Sequence, residues 1–421
     1  MLTTTDFTDL AEEVIARCRK LATFSEDAGG TRRTFLSPPM RDCHREVSSW
    51  MKLLGMSVSV DAVGNLRALY SAASAGASRI LIGSHLDTVP NAGAFDGILG
   101  VVLAVAVVKS LEGMKLPFGI EVVGFSEEEG VRFGVPFIGS RALVGRVDEE
   151  LLGRKDEHGI SVRKAIQDFG LNPNDISKAA LRDDVLGYIE FHIEQGPVLE
   201  NLGRPLGVVE AIVGQNRLEF AFSGQTNHAG TTPMNLRRDA LAAAAEWIVA
   251  VENLARRTAG IVATVGFVKA KPGATNVIAG EARATLDIRH ASDRERSEAL
   301  DELIRQAESM APRRGVTVKW RTLLAQHAVA MDSFLTEQIA HAIQKAGCEP
   351  HRMASGAGHD AMILAEKVPA AMVFLRTPGG ISHDPAESVH LDDVALALEC
   401  GNHLLKQLAA SQEFLGRTCR A

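Results

Sequence analysis

The feature that most constrains the fold is a short apolar run, a polar loop and then a longer apolar run. Residues 79–83 have the pattern of a short buried strand bounded by glycine, and residues 98–108 that of a buried helix. His85 and Asp96 lie between them, where open α/β sheets place their chemistry. Imidazole and carboxylate both bind divalent metals of the zinc type. The alternative is that Asp96 caps the helix and His85 is a buried structural residue.

Size and composition exclude several classes of protein. The 421 residues fit two domains, and 23% charged with 46% hydrophobic residues is an ordinary soluble composition. The net charge is −7 and no Lys/Arg tract stands out, which argues against nucleic acid or an anionic membrane as a partner. No apolar window reaches the length of a membrane span, and the first residues lack a signal-peptide pattern. With five scattered cysteines and no CxxC motif, we expect a cytoplasmic protein with reduced thiols.

Strands alternate with helices in the first half of the chain. Helical patterns cover residues 7–21 and 40–54, two strands flank a turn at 63–65, and buried strands follow at 119–125 and 185–193. Weaker helices are predicted at 160–169 and 174–182. This alternation predicts an α/β fold with a mixed, largely parallel sheet that is flanked by helices.

The pattern changes after Gly207 and changes back near residue 330. Strands, a long helix at about 236–257, further strands near 260–269 and 281–289, and a second helix near 294–311 predict a small α+β sandwich. The remainder returns to helix and strand, with a buried strand at 371–375 and a final helix near 391–410. We therefore predict a discontinuous α/β domain formed by residues 1–211 and 328–421, interrupted by a domain at 212–327.

Further metal-binding side chains follow other predicted strands. Residues 126–130 place three carboxylates after a buried strand, where they repel one another unless a cation lies between them. A solvated acidic loop is the alternative. His192 ends another strand, and His383 follows the strand at 371–375. Each histidine alone is more often structural than ligating. Four strand ends bearing His, Asp or Glu make a two-metal site the more economical explanation.

Taken together, these motifs resemble one group of proteins. The chain is similar, from about residue 10 to 405, to the amidase/hydantoinase/carbamoylase group of the zinc-dependent aminoacylase and carboxypeptidase superfamily. That group includes N-carbamoyl-L-amino acid hydrolases, allantoate amidohydrolases and metal-dependent β-ureidopropionases. The motifs that carry the resemblance are residues 83–90, 95–97, 128–133, 192–196, 227–234, 356–361 and 380–383.

The resemblance implies a di-metal catalytic domain. One metal would be bound by His85 and His192, a second by Glu129 and His383, and Asp96 would bridge the two. We expect two divalent ions per chain, with zinc as the leading candidate, although such ligands also accept manganese, cobalt or nickel.

Catalytic and substrate-binding roles are implied in the same way. Glu128 would be the general base. His228 would donate a hydrogen bond to the developing oxyanion, the alternative being a turn histidine without a role. Asn276 and Arg289 would hold the substrate's α-carboxylate, and Gln195 would orient a ureido group.

Further residues are expected to lie near the predicted metal ligands. His359 and Asp360 would support the metal site from behind the ligands, and Glu127 would either do the same or face solvent. Arg376 departs from the group's pattern, and it would bind a second substrate carboxylate or face solvent.

The resemblance implies hydrolysis of an N-carbamoyl-L-amino acid to the amino acid, carbon dioxide and ammonia. Allantoate amidohydrolysis, amide hydrolysis of the aminoacylase or dipeptidase type, and an inert binding protein on the same fold are the alternatives. The inserted domain would act as a lid and as the contact surface of a homodimer. No glycine-rich nucleotide-binding motif is present in the sequence.

Overall fold

Nearly continuous burial of apolar side chains explains the central layer of the protein. In this computed structural model, which describes residues 7–417, the helix Ile98–Lys109 is buried at every position from Ile98 to Val108. A helix that is apolar all round must be covered on all sides. It therefore packs between the sheet and two further helices, Phe7–Ala22 and Leu391–Ala410.

The chain divides into two units. The first is formed by the residues up to Glu210 together with those from Met331 onward, and the second by Ala211–Ala330. The elements of the first unit before the division are α1 (Phe7–Ala22), α2 (Pro38–Leu53), β1 (Ser57–Val60), β2 (Leu66–Tyr70), β3 (Arg79–His85), α3 (Ile98–Lys109), β4 (Gly119–Phe125), α4 (Ile138–Leu143), α5 (Glu149–Gly153), α6 (Val162–Asp168), β5 (Val185–Ile193), α7 (Val198–Leu202) and β6 (Leu206–Ile212).

The second unit is an antiparallel sheet with two long helices. Its elements are β7 (Gly214–Ser223), β8 (Asn227–His228), α8 (Ala240–Arg257), β9 (Val262–Thr264), β10 (Val268–Lys271), β11 (Val277–Ile278), β12 (Glu281–His290), α9 (Asp293–Arg313), β13 (Thr317–Gln326) and β14 (Val329–Ala330). The strand order is β10-β12-β7-β13, with β9 beside β12 and with β8 and β11 paired separately. Trp247 of α8 packs against Phe220 and Phe222 of β7 at the centre of its core.

The chain then completes the first unit. The remaining elements are α10 (Ser333–Lys345), β15 (His351–Ser355), α11 (Asp360–Leu364), β16 (Ala370–Leu375), α12 (Leu391–Ala410) and α13 (Gln412–Leu415). The strand order of this sheet includes the run β1-β2-β4-β3-β5-β16-β6, and β15 pairs with β6. Strands β4, β3, β5 and β16 are mutually parallel, whereas β2 and β6 run antiparallel to their neighbours. The predicted α/β fold with a mixed, largely parallel sheet is confirmed.

Close packing of α3 on the sheet requires a glycine. A Cβ added at Gly100 would overlap the carbonyl oxygen of Phe191 and lie 2.7 Å from Cβ of Ser84. The missing side chain lets the helix rest on β3 and β5 directly beside the strand ends that carry His85 and His192.

Three local predictions differ from the structure. The helix predicted at 174–182 is a 3₁₀ helix, Pro173–Ala179, which begins after the capping side chain of Asn172. The strand predicted at 260–269 is two strands, β9 and β10, with Gly266 in the gap between them. The helix predicted from 236 begins at Ala240, because Asp239 accepts the backbone N–H groups of Leu241 and Ala242 as an N-cap. Among residues 7–417, no helix is long and apolar enough to cross a bilayer.

Candidate metal centre

The carboxyl ends of the parallel strands gather the polar side chains at one edge of the sheet. His85 is the last residue of β3, His192 is next to last in β5, and the acidic residues from Glu127 follow β4. His383 comes after β16 by way of a short turn at Pro378–Gly380. Neighbouring parallel strands have their carboxyl ends at the same edge of the sheet, so these side chains lie close together there.

Asp96 lies at the centre of this cluster and is almost fully buried. Its Oδ1 is 3.3 Å from Nε2 of His192 and 3.7 Å from Nε2 of His85, and the two histidine Nε2 atoms are 3.4 Å apart. Its Oδ2 is 3.1 Å from Nε2 of His383, which lies 3.6 Å from Oε1 of Glu129. The two oxygens of one carboxylate therefore face two different sets of donors.

These separations fit metal coordination. Metal–ligand bonds of about 2.0–2.1 Å around a tetrahedral metal place neighbouring donor atoms roughly 3.3–3.4 Å apart. Oδ1 of Asp96 is buried and accepts no hydrogen bond of normal geometry from the described residues. The groups His85–Asp96–His192 and Asp96–Glu129–His383 each offer three donor atoms within 4.8 Å of one another. Nitrogen and carboxylate oxygen donors in this mixture suit divalent metals.

Backbone carbonyls set the tautomers of two histidines. Nδ1 of His85 lies 2.9 Å from the carbonyl oxygen of Asp87, and Nδ1 of His192 lies 2.9 Å from that of Ile193. A carbonyl oxygen only accepts, so each Nδ1 carries the proton when the ring is neutral. Each Nε2 then presents its lone pair to the cluster, as a metal ligand requires.

Asp87 connects the first histidine to the acidic loop. Its side chain accepts the backbone N–H of Glu128 at 2.9 Å and that of Glu129 at 3.1 Å. No role was predicted for Asp87 from the sequence. The available signal was the His-x-Asp spacing at residues 85–87, which places the carboxylate on the same loop as the ligand.

The acidic loop is buried, and this changes its protonation. Burial raises the pKa of Glu127 and Glu128 well above the ordinary glutamate value, and burial with the neighbouring Asp96 raises the pKa of Glu129 to about 7. Burial opposes ionisation of Asp96 too, but contacts with His383 and His85 lower its pKa. Positive charge among these carboxylates would favour their ionised forms. Glu127 is fully buried, so of its two predicted alternatives the one that it faces solvent is wrong.

Gln195 reaches the same cluster. Its Nε2 donates to Oδ2 of Asp96 at 3.0 Å and to Oγ of Ser382 at 3.2 Å, and its backbone N–H donates to Oγ1 of Thr377. Gln195 and His383 both have left-handed backbones, with φ of 57° and 58°. Such conformations cost free energy in residues other than glycine and concentrate at functional sites.

A second layer of polar groups lies behind the ligands. The ring of His359 packs edge-on against His192 with centroids 4.4 Å apart, and its Nε2 is 2.9 Å from Oγ of Ser355. Asp360, the first residue of α11, is fully buried. Glu190 was not identified from the sequence. Its two oxygens accept the hydroxyl of Ser84 and a backbone N–H of α11.

Arg376 binds a carboxylate within the protein. Its Nε and Nη2 donate to the two oxygens of Asp393 at 2.8 and 2.7 Å. Asp393 lies in the first turn of α12 and is buried. No sequence pattern indicated this bidentate pair, which engages Nε and Nη2 of a guanidinium expected to bind a second substrate carboxylate or to face solvent.

The other predicted residues lie in the second unit. Nδ1 of His228 accepts the backbone N–H groups of Gly230 and Thr231 at 3.1 and 3.2 Å, so Nε2 carries the proton of the neutral ring. Asn276 lies beside it, since its carbonyl accepts the N–H of Ala229.

Arg289 stands on β12 with its guanidinium against Asp287. Its Nε donates to Oδ1 of Asp287 at 2.8 Å, and its Nη2 donates to Oδ2 at 2.9 Å. Arg217 of the neighbouring strand shares the same carboxylate at 3.0 Å. Asp287 therefore fixes the Nε and Nη2 side of the Arg289 guanidinium.

Histidine and carboxylate donors at the carboxyl edge of a largely parallel sheet form an arrangement that suits divalent metals. Comparison with known proteins agrees. Residues 81–407 match the family described as Peptidase family M20/M25/M40, and the chain belongs to that family. It is a hydrolase that acts on amide or ureido C–N bonds of small molecules.

Relatives match over nearly their whole length. The chain is 38% identical over 390 residues to an N-carbamoyl-L-amino acid amidohydrolase of Geobacillus stearothermophilus, covering 92% of this chain and 95% of the relative. It is 37% identical over 419 residues to allantoate deiminase 2 of Glycine max, covering 91% and 87%. The crystal structure of a hydantoinase/carbamoylase family amidase from Burkholderia ambifaria superposes with a TM-score of 0.88 at 34% identity, covering 94% of this chain and 97% of that one.

Proposed function

We propose that this protein hydrolyses the ureido C–N bond of an N-carbamoyl-L-amino acid. We propose that the cluster around Asp96 holds two divalent ions for this reaction, with zinc as the leading candidate. The observation that carries the proposal is the division of the Asp96 carboxylate between two donor sets, His85 with His192 and Glu129 with His383. A carboxylate shared between two such sets suits a two-metal hydrolase. The similarity to an N-carbamoyl-L-amino acid amidohydrolase supports the substrate class.

Glu128 is the proposed general base. It neighbours the metal ligand Glu129 in the chain, and Asp87 fixes the backbone of both. Metal ions held by His85, His192, Asp96, Glu129 and His383 would supply a water of low pKa and polarise the scissile carbonyl. The Glu128 carboxylate accepts a proton from the attacking water and returns it to the leaving nitrogen. The C–N bond to that nitrogen breaks, ammonia leaves, and the remaining carbamate yields the amino acid and carbon dioxide.

Four further residues are proposed to bind the substrate. The Nε2–H of His228 would donate to the oxyanion, which its tautomer permits because Nδ1 is already an acceptor. Arg289, whose guanidinium also pairs with Asp287, would bind the α-carboxylate together with Asn276. Gln195, whose amide stands next to Asp96, would orient the ureido group.

Allantoate, a diureido acid, is the second candidate substrate. The same bond breaks in the same way, and the identity to allantoate deiminase 2 of Glycine max is 37%, close to that with the carbamoyl relative. The residues proposed above would serve either substrate, so the choice rests on measurement.

We also propose that the protein is a homodimer that pairs through the second unit. The outer face of α8 exposes Leu241 and Val249, two turns apart, with the small exposed Ala245 between them. An apolar stripe of this kind on a helix is a candidate contact surface. Light scattering should give the mass of two chains, and Leu241→Glu with Val249→Glu should give one. A wild-type mass of one chain would contradict pairing.

The substrate proposal is tested by ammonia release from metal-reconstituted enzyme. The panel is N-carbamoyl-L-amino acids, allantoate and 3-ureidopropionate, with N-acetyl amino acids followed by release of the amine. We expect turnover of N-carbamoyl-L-amino acids, abolished by Glu128→Ala without loss of metal. Turnover restricted to allantoate would favour the second candidate. Turnover restricted to N-acetyl amino acids would contradict both ureido assignments.

A further inference from the structure

One buried carboxylate joins the two loops that carry Asp96 and His383. Glu387 is 5% exposed. Its Oε1 accepts the backbone N–H of Phe95 at 2.8 Å and that of Asp96 at 3.0 Å, and its Oε2 accepts the hydroxyl of Ser382 at 3.2 Å. A single side chain thus fixes the backbone of one proposed ligand and the neighbour of another.

The local chain is shaped to bring Glu387 into this position. Oδ1 of Asp384 accepts the backbone N–H of Ala386 at 2.8 Å, and its carbonyl accepts the N–H of Glu387 at 3.0 Å. This turn carries Glu387 back toward the Asp96 loop. A Cβ added at Gly93 would lie 2.5 Å from Cβ and 2.8 Å from Oε1 of Glu387, so only glycine permits the approach.

His383 depends on such an anchor more than the other histidines do. His85 and His192 lie within strands and are almost fully buried, whereas the side chain of His383 is 49% exposed and its backbone is left-handed. Neither regular secondary structure nor deep burial holds it at 3.1 Å from Asp96. The contacts of Glu387 with both loops supply that constraint.

We infer that Glu387 is a positioning residue that sets the separation of Asp96 and His383, and thereby the affinity of the cation site formed by Asp96, Glu129 and His383. The inference rests on the proposed two-metal centre. Glu387 contacts neither the substrate nor a metal in this account. It acts through the two loops, and groups that orient metal ligands typically contribute about 10–100-fold to affinity or activity.

The test measures binding of Zn²⁺ alone by competition with a chelator, without substrate. In wild type we expect two binding events. In Glu387→Ala the site with Glu129 and His383 should weaken by about 10-fold or more, and the site with His85 and His192, which shares only Asp96 with it, should weaken less. Glu387→Gln should stay within about threefold of wild type, because its amide oxygen still accepts the two backbone N–H groups and its amide N–H₂ can donate to Ser382.

Two further variants make the comparison specific. Glu26→Ala removes a carboxylate that accepts the backbone N–H and hydroxyl of Thr34 but touches neither loop, and it should leave both affinities unchanged. Gly93→Ala keeps Glu387 but crowds it, and it should weaken the same site as Glu387→Ala does. Thermal melts of the metal-free proteins identify variants that do not fold, and if Glu387→Ala is one of them, Gly93→Ala supplies the comparison.

The outcomes separate the two proposals. If wild type binds two ions and Glu387→Ala binds both equally well, Glu387 is not a positioning residue. Equal weakening of both sites, or a Glu387→Gln variant as weak as Glu387→Ala, would also overturn the inference. A wild type that binds fewer than two ions would overturn the two-metal centre itself, and this inference with it.

Discussion

Asp87 accepts the backbone N–H of Glu128 at 2.9 Å, which ties the proposed general base to the loop of His85, a proposed metal ligand. The other Asp87 oxygen accepts the N–H of Glu129, and the Asp87 carbonyl lies 2.9 Å from Nδ1 of His85. One residue therefore holds a proposed ligand on β3 and two acids after β4. Such hydrogen bonds orient the groups that do the chemistry.

Replacing Asp87 by asparagine should impair the enzyme without unfolding it. The amide offers one accepting oxygen, and its N–H₂ would face a backbone N–H. We expect kcat/KM to fall by about 10–100-fold. Steady-state kinetics measures this, with Asp239→Asn, at the N-cap of α8, as the matched control. Kinetics equal to wild type in Asp87→Asn would show that the two contacts do not position the acids.

Glu128→Gln should separate proton transfer from metal binding. The amide cannot accept a proton from water, so kcat should fall by about 10²–10⁴-fold. The metal content should stay at the wild-type value, whereas Glu129→Gln should lower it. Kinetics and elemental analysis of the same preparations test this pair. An active Glu128→Gln enzyme would remove Glu128 from the mechanism.

His228→Ala should affect the chemical step and leave the metal in place. Loss of an oxyanion donor lowers kcat by about 10²–10³-fold in comparable sites. His158, an exposed histidine of the first unit, provides the control His158→Ala, which should behave as wild type. If His228→Ala raises KM alone, the residue binds substrate but does not stabilise the transition state.

His44 should make the protein less stable in mild acid. Burial, followed by the nearby Arg33 and Arg41, lowers its pKa from 6.5 to about 4. The folded state therefore disfavours protonation, and the unfolded chain binds more protons between these two values. This contribution to stability is full above the unfolded pKa and is lost as the pH falls toward the folded one.

The variant His44→Leu isolates this effect. For a group with these two pKa values, linkage gives a loss of about 2 kcal/mol between about pH 7.5 and pH 5. Denaturant unfolding of wild type across that range should show the loss, and His44→Leu should show correspondingly less pH dependence. Parallel curves for the two proteins would contradict the assignment.

The fold could be predicted from the sequence because runs of apolar residues mark the strands and helices that are buried. The apolar runs that became β3, β4, β5 and β16 are buried on both faces, which a parallel sheet covered by helices requires. The proximity of His85 and His192 could be predicted as well, because each lies at the carboxyl end of one of these parallel strands.

The supporting contacts could not be predicted in this way. Glu387 reaches the backbone of Phe95 across 292 positions, and the Arg376–Asp393 pair joins a loop to a helix. Neither contact follows from a hydrophobic period or a local turn signal. The helix predicted at 174–182 is the 3₁₀ helix Pro173–Ala179, whose type the residue pattern did not indicate.

The central claim, that Asp96 is shared by two cation sites, is tested most directly by counting metal ions. Protein reconstituted with Zn²⁺ and freed of excess metal should contain about two ions per chain by elemental analysis. Asp96→Asn should contain one or none, because its amide nitrogen cannot replace the second carboxylate oxygen. One ion in wild type, or two retained by Asp96→Asn, would contradict the shared site.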